Sequence, residues 1–253
     1  MLSDAFLEEA LASFVDDGWI DEPLFEVKSG KEATVFCCSG SGALAEVTDE
    51  PIVAVKIYRE FTNRSFKNDS VYQAGRIQFA QANRTARALK KRSRYGRKAQ
   101  HVLWLAHEWE MMKLLHKKGI DIPKPYALNE YAIIMQFVGT KEGGAAPPLL
   151  EVELSPERAA EVVDQLLHDV VAMVDLHVVH GDLSPYNILW WEDQPWIIDF
   201  PQAVDPRLNP AAQGILARDI ENICRWGERF GVERDPQAFM ADLWTRFTEG
   251  QIG

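Results

Sequence analysis

The stretch Val178–Phe200 reads VVHGDLSPYNILWWEDQPWIIDF, and it decides the fold class of this chain. An apolar pair leads into the tripeptide His180–Asp182. Asn187 follows five residues after Asp182, and Asp199 ends a second apolar run twelve residues after Asn187. Phosphoryl transfer from a nucleotide requires a carboxylate that orients the acceptor hydroxyl and oxygen ligands that hold Mg²⁺ against the phosphates. The stretch supplies these groups in the order that protein kinases use.

Each residue of this pattern has a simpler explanation when it is taken alone. A single Asp or Asn in a loop commonly forms a turn by bonding its own backbone. A single histidine such as His180 is more often a packed, hydrogen-bonded residue than a catalyst, and we prefer that interpretation for it. The combination is more specific: Asp182, Asn187 and Asp199 occur together, beside the apolar runs Ile188–Trp190 and Trp196–Ile198. This combination indicates a kinase-like catalytic loop.

The composition is typical of an ordinary globular protein, and 253 residues are enough for two lobes with a substantial core. The 3 cysteines (Cys37, Cys38 and Cys224) are too few and too scattered for a disulfide framework or a zinc site. The first 25 residues lack the basic start and apolar core of a signal peptide, and no stretch reaches 18 uninterrupted apolar residues. We therefore expect a cytoplasmic protein that does not bind membranes.

The net charge of −11 conceals a basic insertion. Residues 59–98 hold 12 of the 27 Lys and Arg but 2 of the 38 acids, which leaves 15 bases against 36 acids elsewhere. Within residues 84–98, 8 of the 15 side chains are basic and none is acidic. Such a run is either a solvated or mobile face, or a docking surface for a phosphate-rich partner such as RNA or a ribosomal subunit.

The first part of the chain has the pattern of a β-rich lobe. Apolar periodicity predicts two helices, the second of which ends at Gly119, and four strands, with a turn at Ser39–Gly42 between the second and third strands. The predicted ranges are residues 2–14 and 99–118 for the helices and residues 25–28, 34–38, 53–58 and 132–137 for the strands.

The second part of the chain is predicted to be helical. Gly139–Pro148 contains Gly-Gly and Pro-Pro pairs and is the predicted linker. An N-cap former precedes proline at Ser155–Pro156, Asn209–Pro210 and Asp235–Pro236, which marks three helix starts. We therefore predict an α+β, bilobal, protein-kinase-like fold. Residues 1–138 form a small β-rich N-terminal lobe with a basic insertion at about 59–98, and residues 139–253 form a compact, truncated helical C-terminal lobe with the catalytic and metal loops.

Lys56 lies within the predicted strand Val53–Tyr58. A lysine among apolar neighbours is costly to bury without a partner, although on a strand at the edge of a sheet it would be solvated. We interpret Lys56 as the partner of nucleotide phosphates and of a helix glutamate. Glu108 and Glu110 are both candidates for this glutamate. Glu108 adjoins an apolar helix stripe, whereas Glu110 is turned further away and is interpreted as solvated. The stripe is formed by Leu105, Trp109, Met112 and His116.

Two further segments are candidates for nucleotide binding. Ser29–Val35 lies between two predicted strands and could cover the phosphates, but its single glycine matches neither a G-x-G-x-x-G loop nor a Walker loop. The backbone of Gln136–Val138 is a candidate for binding the adenine edge, with Met135 behind the ring. An ordinary core strand without a ligand would give the same local pattern.

Taken together, these motifs resemble the RIO-type atypical serine/threonine kinases, in order and over nearly the whole chain. The motifs are the phosphate loop Ser29–Val35, the lysine strand Val53–Tyr58, the insertion Phe66–Arg76, the lobe helix Trp104–Met112, the hinge approach Ile122–Pro125 and Met135–Gly139, the catalytic loop His180–Asn187 and the metal loop Ile198–Gln202.

The resemblance implies ATP as the nucleotide and Mg²⁺ or Mn²⁺ as the metal. It implies that Asp182 is the catalytic base, that Asn187 and Asp199 bind the metal, and that Lys56 contacts the phosphates. In some members the metal-site aspartate is phosphorylated during ATP hydrolysis, which would make Asp199 catalytic. The implied nucleotide contacts, including the glutamate paired with Lys56, are Ser29, Gly30, Lys31, Glu32, Val35, Lys56, Glu108, Met135, Gln136 and Val138.

Two motifs depart from the eukaryotic and archaeal members and resemble a bacterial branch. Residues 180–182 read His-Gly-Asp where those relatives usually read His-Ala-Asp, and the metal loop reads DFPQAV. Those relatives assist maturation of the small ribosomal subunit. About 54 residues follow Asp199 and contain no A-P-E motif, as in a family that lacks the usual peptide-substrate lobe. Asp219 is either a brace for the catalytic loop or a helix-surface residue.

We therefore expect an ATP-dependent serine/threonine kinase that also phosphorylates itself, or an ATPase, acting on an unknown protein. The first alternative is a small-molecule phosphotransferase of the aminoglycoside or choline kinase type, which also uses His-Gly-Asp. The second is a nucleotide-gated module that binds ribonucleoprotein and turns over slowly. The Gly30–Ala33 loop, the insertion and the small helical lobe argue against the first alternative.

Overall fold

Five strands form an antiparallel sheet in the first part of the chain. They are β1 (Ile20–Ser29), β2 (Ala33–Gly40), β3 (Ile52–Tyr58), β4 (Pro125–Leu128) and β5 (Ala132–Gln136). In the computed structural model, which describes residues 4–59, 94–142 and 144–253, the strand order is β1-β2-β3-β5-β4. All 7 residues of β3 are buried, because neighbouring strands flank it and both faces of the sheet are covered.

The two faces of the sheet have different partners. One face packs on helix α1 (Asp4–Asp16), through the side chains of Leu11 and Phe14. On the other face, Ala54 packs with Cys37 and with the chain that leaves β5. Since side chains alternate along a strand, Lys56 shares this second face with Ala54.

The remaining elements are mainly helical. A one-turn helix α2 follows β2, and a long helix α3 precedes β4. After β5 come two short hairpins, a 3₁₀ turn and three helices. Their bounds are α2 Gly42–Ala45, α3 Arg94–Lys117, β6 Gly139–Thr140, β7 Gly144–Ala145, the 3₁₀ turn Leu149–Glu151, α4 Pro156–Asp175, β8 Ile188–Trp191, β9 Gln194–Ile197, α5 Ala212–Glu228 and α6 Pro236–Thr248.

Two of the three predicted helix caps are confirmed. The Ser155 hydroxyl accepts from the Arg158 N–H, and the Asp235 carboxylate accepts from two backbone N–H groups at the start of α6. The third was wrong in position, since α5 begins at Ala212 with Ala211 as its N-cap. The Asn209 side chain instead accepts from the Ala211 N–H in a turn that precedes the helix, at 2.9 Å.

Several predicted boundaries differ from the structure. Strand β2 runs to Gly40, so the predicted turn at Ser39–Gly42 is wrong, and the connection to β3 contains helix α2. Strand β4 was not predicted. The predicted linker Gly139–Pro148 contains the β6-β7 hairpin, which pairs Gly139 with Ala145. Helix α3 begins at Arg94 rather than Ala99, so it includes the end of the basic segment.

The contacts divide the described residues into two units. Residues 4–59, 94–113, 123–142 and 144–145 form the first unit, and residues 114–122 and 146–253 form the second. The lobe boundary between residues 138 and 139 stays a prediction. Most of the basic insertion, residues 60–93, lies outside the described residues. No helix within the described ranges is both long enough and apolar enough to cross a membrane.

Candidate active site

Lys56 lies at the centre of the first unit's sheet. Its Cα pairs with Val35 of β2 and with Ile133 of β5, so the strand cannot be an edge strand. The Lys56 ammonium donates to Glu108 Oε1 at 2.7 Å, and both residues are buried, at 8% and 1% exposure. Because a buried charge requires a partner of opposite sign, this ion pair lets a lysine occupy the core of the sheet.

The structure distinguishes the two candidate glutamates. Glu110 is exposed and forms a surface ion pair with Lys113 at 3.3 Å. Glu108 lies on the buried side of α3, whose other buried residues are Trp104, Leu105, Met112 and Leu115. The predicted stripe was therefore wrong at His116, which is exposed, and Trp109 is half-buried.

The segment Ser29–Val35 forms a tight connection between β1 and β2. The Gly30 N–H donates to the Ala33 carbonyl at 2.8 Å, which closes the turn. Ser29, Gly30 and Lys31 are exposed, whereas Glu32 and Val35 are half-buried. The turn is thus accessible to a ligand, as the interpretation of this segment as a phosphate loop requires.

The predicted adenine contacts lie at the end of β5 and in the residues directly after it. Met135 is half-buried in the same apolar cluster as Ala54, and Val138 is buried. The Gln136 N–H already donates to the Lys124 carbonyl at 2.8 Å. A backbone donor for adenine would therefore have to come from the residues after Gln136, with Val138 still a candidate.

In the second unit, the catalytic loop brings Asp182 and Asn187 together. The Asn187 amide group donates to the backbone carbonyl of Asp182 at 2.9 Å and to its carboxylate at 3.0 Å. Asp182 is solvent-exposed as a residue, but the loop atoms partly desolvate its carboxyl group. This desolvation raises the pKa of Asp182; the bond from Asn187 opposes the shift, and the negative charge of Asp199 adds to it.

Asp219 holds the catalytic loop from helix α5. Its carboxylate accepts from the backbone N–H of Gly181 at 2.8 Å and from that of Leu183 at 2.9 Å, on either side of Asp182. Burial raises the pKa of Asp219 to about 7, and these two hydrogen bonds act in the opposite direction. The interpretation of Asp219 as a brace is confirmed, and that of a helix-surface residue is wrong.

His180 is a packed histidine, as the sequence interpretation preferred. It is buried at 1% exposure, and its Nε2 lies 3.1 Å from the Ile198 carbonyl oxygen. Its ring packs on Phe200, with 4.9 Å between the ring centroids. His180 therefore connects the catalytic loop to the segment that carries Asp199.

Asp199 follows strand β9 in an uncommon backbone conformation, with φ of +74°. Non-glycine residues rarely adopt such angles, and those that do are often found at functional sites. The preceding residue, Ile198, donates its N–H to the Asn187 carbonyl at 2.9 Å, so the metal loop is bonded to the end of the catalytic loop.

Asn187 and Asp199 have the chemistry of a hard-cation site. The Asn187 amide nitrogen is used by Asp182, so its carboxamide oxygen is the atom suited to a metal, and Asp199 contributes a carboxylate. Mg²⁺ commonly takes one or two protein oxygens and completes its shell with phosphates and water. No cluster of three or more His, Cys, Asp or Glu suited to a metal occurs among the described residues.

Two residues that support these loops were not predicted from the sequence. The Asn222 side chain donates to the Leu183 carbonyl at 3.0 Å. Asn222 lies three residues after Asp219, hence on the same helix face, and this spacing was a usable signal. The Arg59 guanidinium donates to Ser29 Oγ at 2.7 Å, and no local pattern indicated this contact.

Comparison with known proteins identifies the family. A sequence model of the RIO domain matches residues 35–239. The RIO-type serine/threonine-protein kinase Rio1 of Haloferax volcanii is 31% identical over 231 residues, which are 89% of this chain and 70% of that protein. The Rio1 of Thermoplasma acidophilum is 30% identical over 190 residues, with 75% of this chain and 92% of that protein covered.

A eukaryotic relative is considerably longer. The serine/threonine-protein kinase RIO3 of Homo sapiens is 27% identical over 224 residues, which are 87% of this chain and 41% of the human protein. The chain thus spans about two fifths of that relative's length. The match to the RIO domain covers both the strand of Lys56 and the loops of Asp182 and Asp199, and the chain belongs to the RIO-type serine/threonine-protein kinase family.

Proposed function

We propose that this chain transfers the γ-phosphoryl group of ATP to a serine or threonine hydroxyl, including its own, or to water. The observation that carries the proposal is the geometry of the catalytic loop. Asn187 is bonded to Asp182, and Asp219 holds the backbone on both sides of that residue. An enzyme that orients an acceptor hydroxyl requires such a fixed carboxylate.

Each charged group has a proposed role in the reaction. Lys56, oriented by Glu108, holds the phosphates of ATP. Asp182 orients the acceptor and accepts its proton as the bond to phosphorus forms and ADP leaves. Asn187 and Asp199 hold Mg²⁺ or Mn²⁺, which when bound neutralises the charge on the phosphates.

ATP hydrolysis would use the same residues. In this version the Asp199 carboxylate attacks the γ-phosphorus, ADP leaves, and water then cleaves the acyl phosphate to regenerate the carboxylate and release phosphate. The proposal that the turn covers the phosphates is supported by the exposure of Ser29, Gly30 and Lys31. Met135 and Val138 are the proposed adenine contacts.

The proposed partners are an unidentified protein substrate and, through residues 84–98, RNA or a ribosomal subunit. The relatives compared above are named as protein kinases, which does not favour the small-molecule phosphotransferase alternative. We also propose a cytoplasmic location, which is supported by three buried, unbridged cysteines among the described residues.

The direct test uses purified protein, γ-labelled ATP and Mg²⁺, with free phosphate, autophosphorylation and a hydroxylamine-labile phosphoenzyme as readouts. Asp199→Ala should lose the Mg²⁺-dependent part of ATP affinity, because the main metal carboxylate is removed. Asp242→Ala, which removes an exposed carboxylate paired with Arg246 on α6, is the matched control. Metal-dependent affinity that survives in Asp199→Ala would contradict the assignment.

A further inference from the structure

Arg59 donates three hydrogen bonds to the Ser29–Val35 segment. It is the first residue after β3, and its Nη2 donates to Ser29 Oγ at 2.7 Å and to Thr34 Oγ1 at 3.3 Å. Its backbone N–H donates to the Glu32 carbonyl at 2.9 Å. A single residue therefore bonds both ends of the turn and its middle.

The two hydroxyl partners are fixed by the sheet itself. Ser29, the last residue of β1, pairs with Thr34 near the start of β2, and their hydroxyl oxygens lie 3.2 Å apart. Thr34 is buried at 1% exposure. The Arg59 guanidinium thus joins the two stems of the turn where the exposed residues Gly30 and Lys31 leave the sheet.

Arg59 also brings a positive charge, and no carboxylate among the described residues forms an ion pair with it. Its side-chain partners are neutral hydroxyls, and none of the ion pairs within residues 4–59, 94–142 and 144–253 includes it. The guanidinium of an arginine is a cation. Its charge lies at the turn, where it would attract an anion.

We propose that Arg59 is a positioning residue for the nucleotide phosphates. It stabilises the Ser29–Val35 segment in the conformation that binds the phosphates, and it contributes a positive charge there. The inference rests on the proposed function, in which this turn covers the phosphates of ATP. In this role Arg59 acts through the turn and not as a ligand of the reacting atoms. Its loss should weaken ATP binding more than it slows the chemical step.

The test begins with the variants Arg59→Gln, Arg59→Lys and Thr34→Val, with Lys113→Gln as the matched surface control. Affinity for ATP with Mg²⁺ is measured by calorimetry, and turnover by release of labelled phosphate. We expect Arg59→Gln to raise Kd and KM for ATP about tenfold, with kcat within about twofold of wild type. Arg59→Lys should recover part of the affinity because it keeps the charge, and Lys113→Gln should bind ATP as the wild type does.

A double-mutant cycle separates positioning from direct contact. If Arg59 acts through the turn, the variant Arg59→Gln/Thr34→Val should bind ATP no more weakly than Arg59→Gln alone, because Thr34 bonds Arg59 and is not a proposed nucleotide contact. The cycle is repeated with Thr34→Ala if Thr34→Val does not fold. Independent, multiplying losses of affinity in the double variant would overturn the proposal, since they indicate a direct contact between Arg59 and the nucleotide.

A measurement without nucleotide tests whether Arg59 stabilises the turn. Hydrogen exchange of the Gly30 amide, which is bonded to the Ala33 carbonyl, should be at least about tenfold faster in Arg59→Gln, while the thermal midpoint changes little. Unchanged exchange together with unchanged ATP affinity overturns the role of Arg59 and leaves the proposed function intact. If the wild-type protein does not bind ATP, the proposed function fails, and the role of Arg59 toward phosphates fails with it.

Discussion

Asp182 and Asp219 show how two carboxylates that are close together have different tasks. Asp219 is buried and accepts two backbone N–H bonds, so it is a structural acceptor. Asp182 stays accessible and keeps a carboxylate oxygen beside Asn187. Burial and hydrogen bonding, rather than residue type, separate the brace Asp219 from the proposed base Asp182.

Asp182→Asn should preserve the fold and ATP affinity, because the two side chains are nearly isosteric and Asn187 can still donate to an amide oxygen. Removal of a general base typically costs about 10²–10⁴-fold in rate, so labelled phosphate release should fall at least about a hundredfold. A variant that keeps more than about a tenth of wild-type turnover would show that Asp182 has another role.

The pH dependence provides a second measurement on the same variant. The pKa of Asp182 is raised, so its base form is lost at a higher pH than for an ordinary aspartate. Wild-type kcat should therefore fall as the pH decreases through that raised pKa. The residual kcat of Asp182→Asn should not show this fall at low pH.

Gly181 cannot be replaced by alanine without strain in this loop. Its φ is +89°, and a Cβ atom would lie 2.5 Å from the Gln202 carbonyl oxygen. A left-handed alanine costs about 1–2 kcal/mol before this clash is counted. Gly181→Ala should therefore lower the thermal midpoint and reduce turnover at least about tenfold, because Asp182 follows directly.

Gly214→Ala is the matched control, because it lies in helix α5 with nothing within 4 Å of the added Cβ. Gly214 lies in the first turn of α5, and alanine there should raise stability by at most about 0.5–1 kcal/mol. A Gly181→Ala variant as stable and active as Gly214→Ala would disprove the described loop geometry.

At the scale of elements, helix α4 carries two aspartates with opposite pKa shifts. Burial, followed by the charge of Asp121, raises the pKa of Asp169 from 3.8 to about 7. Asp169 Oδ2 has no hydrogen-bond partner in the part of the chain that the structure describes. Asp164, on the same helix, is bonded to Arg234 at 2.8 and 2.9 Å, and this bond lowers its pKa.

Asp169→Asn should stabilise the protein at pH 8. Because the pKa of Asp169 is raised on folding, the folded state binds the proton more tightly, and stability falls as pH rises from 3.8 to about 7. One pKa unit corresponds to about 1.4 kcal/mol, so removing the charge should add about 1–4 kcal/mol at pH 8 and much less at pH 5.

Thermal denaturation at both pH values is the measurement, with Asp164→Asn as its counterpart. The lowered pKa of Asp164 means that its charged form stabilises the fold above the ordinary aspartate pKa, so Asp164→Asn should lower the midpoint at pH 8. If Asp169→Asn also lowers the midpoint at pH 8, the Asp169 carboxylate has a favourable partner and the interpretation is wrong.

At the scale of the whole molecule, the charge distribution suggests how the chain would meet a partner. The net charge is −11, yet residues 84–98 hold 8 basic side chains and no acidic one. Residues 84–93 lie outside the described residues, and 94–98 are the first residues of α3. An acidic protein with one basic segment would approach RNA through that segment.

Contacts to roughly half of these charges predict a log–log slope of RNA affinity against salt near −3 to −4, since each neutralised phosphate contributes about −0.7 to −0.9. Replacing Lys90, Lys91, Arg92 and Arg94 by glutamine should flatten this slope and weaken binding of RNA or ribosomal subunits. ATP hydrolysis should stay nearly unchanged, because none of the four is assigned to the nucleotide.

The outcomes separate the interpretations of the basic segment. Wild-type binding to RNA no stronger than that of an acidic control protein would indicate a solvated face. Loss of ATP hydrolysis in the fourfold variant would indicate that the segment contributes to the nucleotide site instead.

The sequence by itself determined the features that depend on short-range chemistry. Alternating apolar residues predicted the strand of Lys56, and side-chain oxygens before prolines predicted the caps at Ser155 and Asp235. The spacing of Asp182, Asn187 and Asp199 indicated the kinase-like loop. These signals could be read because each lies within a few residues of the structure that it specifies.

Only the tertiary structure decided which distant groups meet. The sequence favoured Glu108 over Glu110, but only the packing of α3 against the sheet brings the Glu108 carboxylate to Lys56 and leaves Glu110 exposed. Asp219 stabilises the catalytic loop because α5 places its carboxylate within hydrogen-bond distance of the Gly181 and Leu183 N–H groups. Contacts between residues far apart in the chain depend on how whole elements pack, and a local pattern carries no record of that packing.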